Sequence, residues 1–226
     1  MLRQNNDATN VFYTKTINQI HNTERVLLNL IKEKLKPLNE QSEDKLIEHL
    51  SSRIKTEEST VAKLQLAGYE PTEDNAISIL SDVIGIRIVT HFISDIYTIR
   101  DIICNCGEFA IVKEKDYIKQ SKPAGYRGYH IIIDTNVNNF KIRAEIQIRT
   151  VAMDCWASLE HKIRYKKDLK PNQFIDDELK KCSDDLMSAD IAMEQIWNMV
   201  KMETNEIKEI DTFFEDAMEF YEESNR

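Results

Sequence analysis

One short segment of the sequence alternates apolar and charged side chains without interruption. Between Phe140 and Arg149 the even-numbered residues are apolar, and the odd-numbered ones are Lys, Arg, Glu, Gln and Arg. In a β-strand this alternation buries one side and lines the other with charge. The charged side carries one carboxylate, Glu145, among several cations, which suits a site for a polyanion and a metal ion. An antiparallel strand with one solvated face is the alternative.

A group of cations precedes this segment. Between Lys113 and His130 there are five Lys or Arg residues and two acidic ones, although the whole chain has a net charge of -9. Local fields, rather than net charge, steer an anionic ligand toward a site. The run 126–130 (Tyr-Arg-Gly-Tyr-His) adds aromatic groups to the same region. A solvated lysine-rich loop is the alternative interpretation of these cations.

A nucleotide bound by this chain would need side chains to hold its phosphates. The five glycines form neither a dinucleotide-binding pattern nor a Walker loop. Arg53 and Lys55 are two residues apart, so both cations would share one face of a strand. Ser59 and Lys63 are four apart and would share one face of a helix. Taken alone, these four residues fit an ordinary surface strand and helix start.

Hydrophobic periodicity predicts the elements that position these groups. Apolar residues at helical spacing predict a helix from about residue 10 to 36, stopped by Pro37, and further helices over 57–67 and 93–103. The predicted strands cover residues 83–89, 109–112, 129–134 and 140–149. A turn at 136–139 joins the last two strands. The predicted fold class is therefore α/β, with a mixed sheet flanked by helices.

The C-terminal part of the chain has a different character. Apolar residues from Ile175 to Val200 recur at steps of four and three, and the pattern continues to Tyr221. This predicts one long helix, or two helices broken near 203–205. From Asp168 onward there are 17 acidic and 6 basic residues. The apolar stripe needs a partner, which is either the N-terminal helix or a second subunit.

Several classes of protein are disfavoured by composition. No apolar run approaches the ~18 residues of a membrane span, and the first residues lack the apolar core of a secretory signal. The expected location is cytoplasmic. The four cysteines are too scattered for a disulfide framework or a zinc site, which predicts buried, reduced thiols. No histidine is followed by aspartate, so a His-Asp metal-dependent hydrolase is not supported.

Five blocks of sequence resemble, in order and spacing, the synthetase domain of the RelA/SpoT family, the (p)ppGpp or alarmone synthetases. The blocks are 53–59, 82–87, 116–118, 125–130 and 145–161. The chain is similar to the small stand-alone members, which form tetramers. On this basis we predict an N-terminal helical segment (1–49), a synthetase domain (50–167) and an acidic helical oligomerisation segment (168–226).

The resemblance implies transfer of the β,γ-diphosphate of ATP to the ribose 3′-hydroxyl of GDP or GTP. Such a transfer needs Mg²⁺ to neutralise phosphate charge. By the family pattern, Asp82 and Glu145 would be the catalytic carboxylates and would hold the metal. Glu145 would also take the proton of the 3′-hydroxyl. Without the resemblance, Asp82 could be a turn or helix cap, and Glu145 could form an ion pair with Arg143 or another neighbour.

The resemblance also implies two groups of nucleotide-binding residues. Arg53 and Arg87 would bind ATP by stacking on its adenine ring. Lys55, Ser59 and Lys63 would bind its phosphates. The residues for the acceptor are Tyr126, Arg127, His130, Lys115, Lys122, Gln147, Asp154 and Glu160. Within the second group Tyr126 would stack on guanine from a loop that acts as a lid. His130 and Trp156 could equally be core residues.

Two alternatives stay open at this point. The same chemistry could serve another acceptor, either the 3′ end of tRNA or an adenine nucleotide, as in toxin-like relatives. The acidic net charge disfavours tRNA, while the local cations favour it. The chain could also be a catalytically silent module that binds nucleotides or RNA. The presence of both Asp82 and Glu145 argues against a silent module.

Overall fold

The computed structural model describes residues 12–40, 45–165 and 172–224, with the side chains of the last helix described as far as residue 204. The six helices of these ranges are α1 (Ile17–Glu40), α2 (Glu57–Leu66), α3 (Glu73–Ile79), α4 (Ile93–Asn105), α5 (Val151–Tyr165) and α6 (Gln173–Ser224). The five strands are β1 (Ile47–Ile54), β2 (Ile84–Thr90), β3 (Ala110–Asp116), β4 (Tyr129–Val137) and β5 (Phe140–Thr150).

The strands form one mixed sheet in the order β1-β2-β5-β4-β3. β5 is the central strand; it runs parallel to β2 and antiparallel to β4. The outer pairs, β1 with β2 and β3 with β4, are antiparallel. Helices pack against this sheet, so the prediction of a mixed α/β fold is confirmed.

One face of the sheet is the hydrophobic core. The even-numbered residues of β5 from Ile142 to Ile148 are at most 3% exposed, as the alternating pattern predicted. Burying each large apolar side chain of this kind stabilises the fold by about 1.5–3 kcal/mol. α1 and α4 contribute the opposing layer, with Ile20, Leu27, Ile31, Leu35, Ile96, Ile99 and Ile103. The odd-numbered face of β5 is therefore left for other contacts.

The turn between β4 and β5 sets their register. Asn138 and Asn139 have φ angles of 53° and 64°, which is the left-handed region that Asn tolerates better than most residues. Two such residues in succession give the tight hairpin turn whose twist matches its strands. Val137 pairs with Phe140 on either side of it. The predicted turn at 136–139 is confirmed.

The N-terminal part of the chain differs from the prediction in three ways. Pro37 does not stop α1, which continues to Glu40. Because Pro37 lies in the last turn, the helix loses little of its hydrogen bonding there. β1 begins at Ile47, so the predicted boundary between residues 49 and 50 falls inside a strand. The helix α3 was not predicted. Residues 10 and 11, where the first helix was predicted to begin, lie outside the described residues.

α6 is one continuous helix through the predicted break at 203–205. It packs against α5 and α4, and Trp197 stacks on Phe92 with ring centroids 5.7 Å apart. The second half of the predicted apolar stripe does not join this packing, because Met193, Ile196 and Val200 are 45–59% exposed. The side chains that would continue the stripe to Tyr221, and the boundary near 167, lie outside the description.

Two further expectations concern membranes and thiols. No helix in the described part of the chain is both long and apolar enough to cross a membrane. The cysteines are free, but Cys155 and Cys182 are exposed, so the prediction that all four thiols are buried was wrong. The two exposed thiols lie on α5 and α6.

The two acids among the cations of β3 lie on the opposite face of the sheet from their lysine neighbours. Glu114 pairs with Ile131, while Lys115 pairs with His130 on the other face. The Glu114 carboxylate accepts two bonds from Arg100, of 2.6 and 2.9 Å, and one of 2.7 Å from the hydroxyl of Tyr129. The lysines are thus separated from the acids that precede and follow them.

We expect Glu114→Gln to lower the free energy of unfolding by roughly 2 kcal/mol, because the charge-assisted bonds to Arg100 are lost. Those bonds lower the pKa of Glu114 in the folded protein. The stabilisation is therefore complete at pH values above the pKa of Glu114 in the unfolded chain, which is near 4.5. It is lost as the pH falls toward the lower pKa of the folded protein. Chemical denaturation at pH 7 and pH 4 measures both effects.

The matched control is Glu108→Gln, because Glu108 forms an exposed ion pair with Lys34. Such pairs contribute about 0–1 kcal/mol. Equal destabilisation by the two variants at pH 7 would contradict the role given to Glu114, and so would an equal response of the wild type and Glu114→Gln to acid.

Candidate active site

The face of the sheet opposite the core gathers most of the predicted site residues. Glu145 pairs with Gly85 of β2, and Gln147 pairs with both Arg87 of β2 and His130 of β4. Residues paired across a sheet point to the same side. Lys115, which pairs with His130, joins them at the far edge. One charged surface therefore spans four strands.

Glu145 is the most enclosed carboxylate of this surface, with 8% exposure. Its Oε1 lies 3.0 Å from Nδ1 of His130, and its Oε2 accepts a bond of 2.7 Å from the amide of Gln147. Burial alone would raise the pKa of Glu145, but the bonds from His130 and Gln147 lower it to about 2. Arg143, the alternative partner, pairs instead with Asp134.

His130 is buried and uses both ring nitrogens. Burial lowers the pKa of His130 despite the nearby carboxylate, so the ring is neutral at pH 7. A neutral ring satisfies both contacts: Nδ1–H donates to Glu145, and Nε2 accepts from the hydroxyl of Tyr126. In this structure His130 contacts Glu145 and Tyr126, whereas the resemblance implied that it binds the acceptor nucleotide.

Asp82 is held by the lysines that were predicted to bind ATP phosphates. Its Oδ2 lies 3.0 Å from Nζ of Lys55 and 2.8 Å from Nζ of Lys63. Burial opposes ionisation, yet the two ammonium groups lower the pKa of Asp82. Oδ1 is buried and has no hydrogen-bond partner. A free carboxylate oxygen beside two lysines is a suitable ligand for a hard cation.

Without a bound substrate, the described residues do not form a complete metal site. No three His, Cys, Asp or Glu side chains gather there as ligands. Mg²⁺ commonly takes only one or two protein carboxylates and completes its shell with substrate phosphates and water. Asp82 and Glu145 fit that pattern as ligand types. Their joint coordination of one ion stays a prediction.

Three other residues are predicted to bind ATP. Ser59 lies near the start of α2, Arg53 lies on β1, and Arg87 lies on β2. Arg53 pairs with Gly85, and a side chain at Gly85 would lie 3.5 Å from Cγ and Nε of Arg53. This is an ordinary van der Waals distance, so the Arg53 side chain lies alongside Gly85. Ser59 lies in the first turn of α2, where the side chain of Thr56 caps the helix.

Two arginines, the buried Arg149 and the partly exposed Arg87, share the carboxylate of Asp154. Its Oδ1 lies 3.2 Å from Nη1 of Arg87 and 3.1 Å from Nη1 of Arg149. Nε of Arg87 is buried without a hydrogen-bond partner. Asp154 thus connects Arg87, which is predicted to bind ATP, with Arg149, which contacts Tyr126.

Tyr126 lies inside a network rather than on an open lid. Its hydroxyl accepts a bond of 2.8 Å from Nη2 of Arg149 and contacts His130. Nζ of Lys122 lies 4.6 Å from its ring centre, and the Trp156 ring lies 6.4 Å away. Contacts from β4, β5 and α5 therefore hold this tyrosine in the structure, and the action of its loop as a lid stays a prediction. Stacking on guanine stays a prediction.

Two residues implied by the resemblance, Arg127 and Glu160, have other partners. Both Nη atoms of Arg127 are used, one by the carbonyl of Ile118 and one by Asp184 of α6. Glu160 pairs with Arg164 on its own helix and does not join the network around Glu145. Trp156 is 4% exposed, so its interpretation as a core residue is confirmed.

Arg149 is the functional candidate that sequence reasoning missed. It is 5% exposed and donates to Tyr126, Gln147 and Asp154. The alternation of β5 already placed it on the face of Glu145. Two of its partners lie outside β5, in the loop before β4 and on α5, so the local pattern could not indicate them.

Comparisons with known proteins agree with this geometry. The family model described as "Region found in RelA / SpoT proteins" matches residues 52–170. GTP pyrophosphokinase YwaC of Bacillus subtilis (strain 168) is 46% identical over 142 residues, which are 61% of this chain and 68% of YwaC. GTP pyrophosphokinase YjbM of the same strain is 33% identical over 124 residues, covering 53% of this chain and 57% of YjbM.

Solved structures give the same assignment. Small alarmone synthetase 1 from Bacillus subtilis, bound to its product pppGpp, superposes with a TM-score of 0.70 at 27% identity and covers 82% of this chain and 98% of that one. Small alarmone synthetase 2 from Bacillus subtilis gives a TM-score of 0.69 at 38% identity, with coverages of 80% and 97%. The chain belongs to the RelA/SpoT family.

Proposed function

We propose that this chain is a GTP/GDP diphosphokinase, which transfers the β,γ-diphosphate of ATP to the 3′-hydroxyl of GDP or GTP and makes ppGpp or pppGpp. The observation that carries the proposal is the buried, ionised Glu145, aligned by His130 and Gln147 on a face lined with cations. The similarity to two GTP pyrophosphokinases supports a guanine nucleotide as acceptor.

The reaction forms a bond between the ribose O3′ and the β-phosphorus of ATP and breaks the bond from that phosphorus to the α,β-bridging oxygen. AMP leaves, and the hydroxyl proton passes to Glu145. A pKa of about 2 makes Glu145 a weak base. A weak base suffices because phosphoryl transfer has a loose transition state, in which the attacking oxygen loses its proton late. Glu145 therefore orients the hydroxyl and accepts its proton late in the transfer.

The cations around Glu145 would stabilise the charge of the transferred group. Lys55 and Lys63 are held together by Asp82 at one side, and Lys115 and Lys122 stand at the other. Bound Mg²⁺, with Asp82 and Glu145 as its protein ligands, would neutralise phosphate charge. Arg53 and Arg87 remain our candidates for adenine, and Tyr126, Gln147 and Asp154 for the acceptor.

We further propose a cytoplasmic homo-oligomer, a tetramer by its resemblance to the small synthetases. Support comes from the exposed apolar side chains of α6 between Ile191 and Met202, which are 43–68% exposed. Exposed apolar patches of this kind mark contact surfaces.

The acceptor is tested with Mg²⁺ and ATP labelled at the γ-phosphate. GDP, GTP, AMP, ADP and deacylated tRNA are offered separately, and products are separated by chromatography. We expect label on GDP and GTP. Label on tRNA or on an adenine nucleotide alone would establish the rival acceptor, and transfer to none of them would contradict the proposed activity.

A further inference from the structure

The acceptor loop, residues 122–128, lies directly against α6. Ser183 of α6 is 4% exposed, and its hydroxyl donates a hydrogen bond to the carbonyl of Gly125. A Cβ atom at Gly125 would lie 2.8 Å from Cβ of Ser183 and 2.9 Å from Cα of Lys180. Gly125 also has a φ of 97°, so only glycine permits this approach.

A second contact lies on the other side of Tyr126. Nη2 of Arg127 donates a bond of 2.9 Å to Oδ1 of Asp184, and Nη1 donates a bond of 2.8 Å to the carbonyl of Ile118. Asp184 is oriented by Lys180, whose Nζ lies 2.7 Å from Oδ2. The guanidinium therefore joins the segment before the acceptor loop, at Ile118, to α6.

These two contacts bracket the tyrosine in sequence and fix its backbone on both sides. Lys122 and Gly125 close a turn of the loop through a backbone bond of 2.8 Å. Trp156, whose ring lies against that of Tyr126, donates a bond of 2.9 Å to the carbonyl of Leu179. One stretch of α6, from Leu179 to Asp184, thus contacts the loop and the ring beside Tyr126.

We infer that Ser183 and Asp184 are positioning residues for the acceptor nucleotide, acting through Gly125 and Arg127 on Tyr126. The inference rests on the proposed function, since it assigns Tyr126 to a purine nucleotide acceptor. It makes α6 part of the acceptor site. The lysines that hold Asp82 belong to the β1–α2 region, where the other substrate is proposed to bind. Loss of the contacts with α6 should therefore affect the two substrates unequally.

The test is the double variant Ser183→Ala/Asp184→Asn. We expect the KM for GDP to rise about tenfold, the combined effect of one neutral and one half-exposed ionic hydrogen bond. The KM for ATP should stay within twofold, and kcat at saturating GDP should stay within threefold. Asp184→Glu with Ser183 intact should restore most of the affinity, because its carboxylate can still reach Arg127.

The matched control is Asp185→Asn/Ser188→Ala, which makes the same chemical changes at exposed positions of the same helix. It should leave both KM values unchanged. An unchanged KM for GDP in the test variant would overturn the inference. So would a parallel rise in both KM values together with a lower Tm, because that pattern indicates a structural role only.

Equilibrium dialysis with GDP separates this inference from the proposed function. If the wild type binds GDP but transfers label to neither GDP nor GTP, the proposed function is wrong, and the inference is decided by whether the double variant binds GDP about tenfold more weakly. If the wild type binds neither GDP nor GTP, both are wrong. Normal transfer by the wild type with an unchanged dissociation constant in the variant removes the inference alone.

Discussion

Replacing Glu145 with Gln should slow diphosphate transfer by about 100- to 10,000-fold, the usual contribution of a positioned general base. The substitution preserves the shape of the side chain but removes its charge, and the carboxylate is ionised throughout the neutral range. ATP should bind as tightly as before, because its proposed phosphate ligands, Lys55 and Lys63, contact Asp82 instead. Single-turnover transfer to GDP and equilibrium binding of ATP measure these two quantities.

The control for this variant is Glu108→Gln, at an exposed carboxylate that pairs with Lys34. Its transfer rate should equal that of the wild type. Transfer by Glu145→Gln within tenfold of the wild type would show that this carboxylate is not the base. Loss of ATP binding along with transfer would show that Glu145 mainly maintains the site.

Replacing Asp82 with Asn should reduce transfer by on the order of 100-fold or more, the scale of removing one preorganised charged group from an active site. The affinity for ATP should stay the same or increase. Asp82 now neutralises Lys55 and Lys63, with Nζ atoms 3.0 and 2.8 Å from its Oδ2. Without that charge, both lysines can direct their full charge to phosphate.

Asp74→Asn, at an exposed carboxylate in the first turn of α3, is the control and should change neither quantity. The decisive comparison is between the dissociation constant of ATP and the transfer rate. If Asp82→Asn weakens ATP binding as much as it slows transfer, Asp82 only fixes the lysines, and its assignment as a metal ligand loses its support.

The central strands were predictable from sequence, and the edge strand β1 was not. β2 and β5 carry long apolar or strictly alternating runs because both are covered on at least one face. β1 is an edge strand with no fully buried residue, so its sequence shows little periodicity. α3 has only seven residues, which is too short for a helical repeat to be recognised.

It was possible to predict which residues lie in the site, but not which of their side chains contact one another. The alternation of β5 placed Glu145, Gln147 and Arg149 on one face. The contact of His130 with Glu145 depends on the register of β4 against β5, which the turn at Asn138 and Asn139 determines. The ion pair between Arg127 and Asp184 joins residues 57 positions apart. No local pattern indicates such a contact.

The order of the strands has a consequence for how the protein becomes functional during synthesis. β5 is the last strand to leave the ribosome, yet it occupies the middle of the sheet. Until it emerges, β1 with β2 and β3 with β4 can form only two separate antiparallel pairs. Insertion of β5 joins them and delivers Glu145 in the same event. A nascent chain that still lacks β5 therefore lacks the proposed base, and catalytic competence requires closure of the sheet.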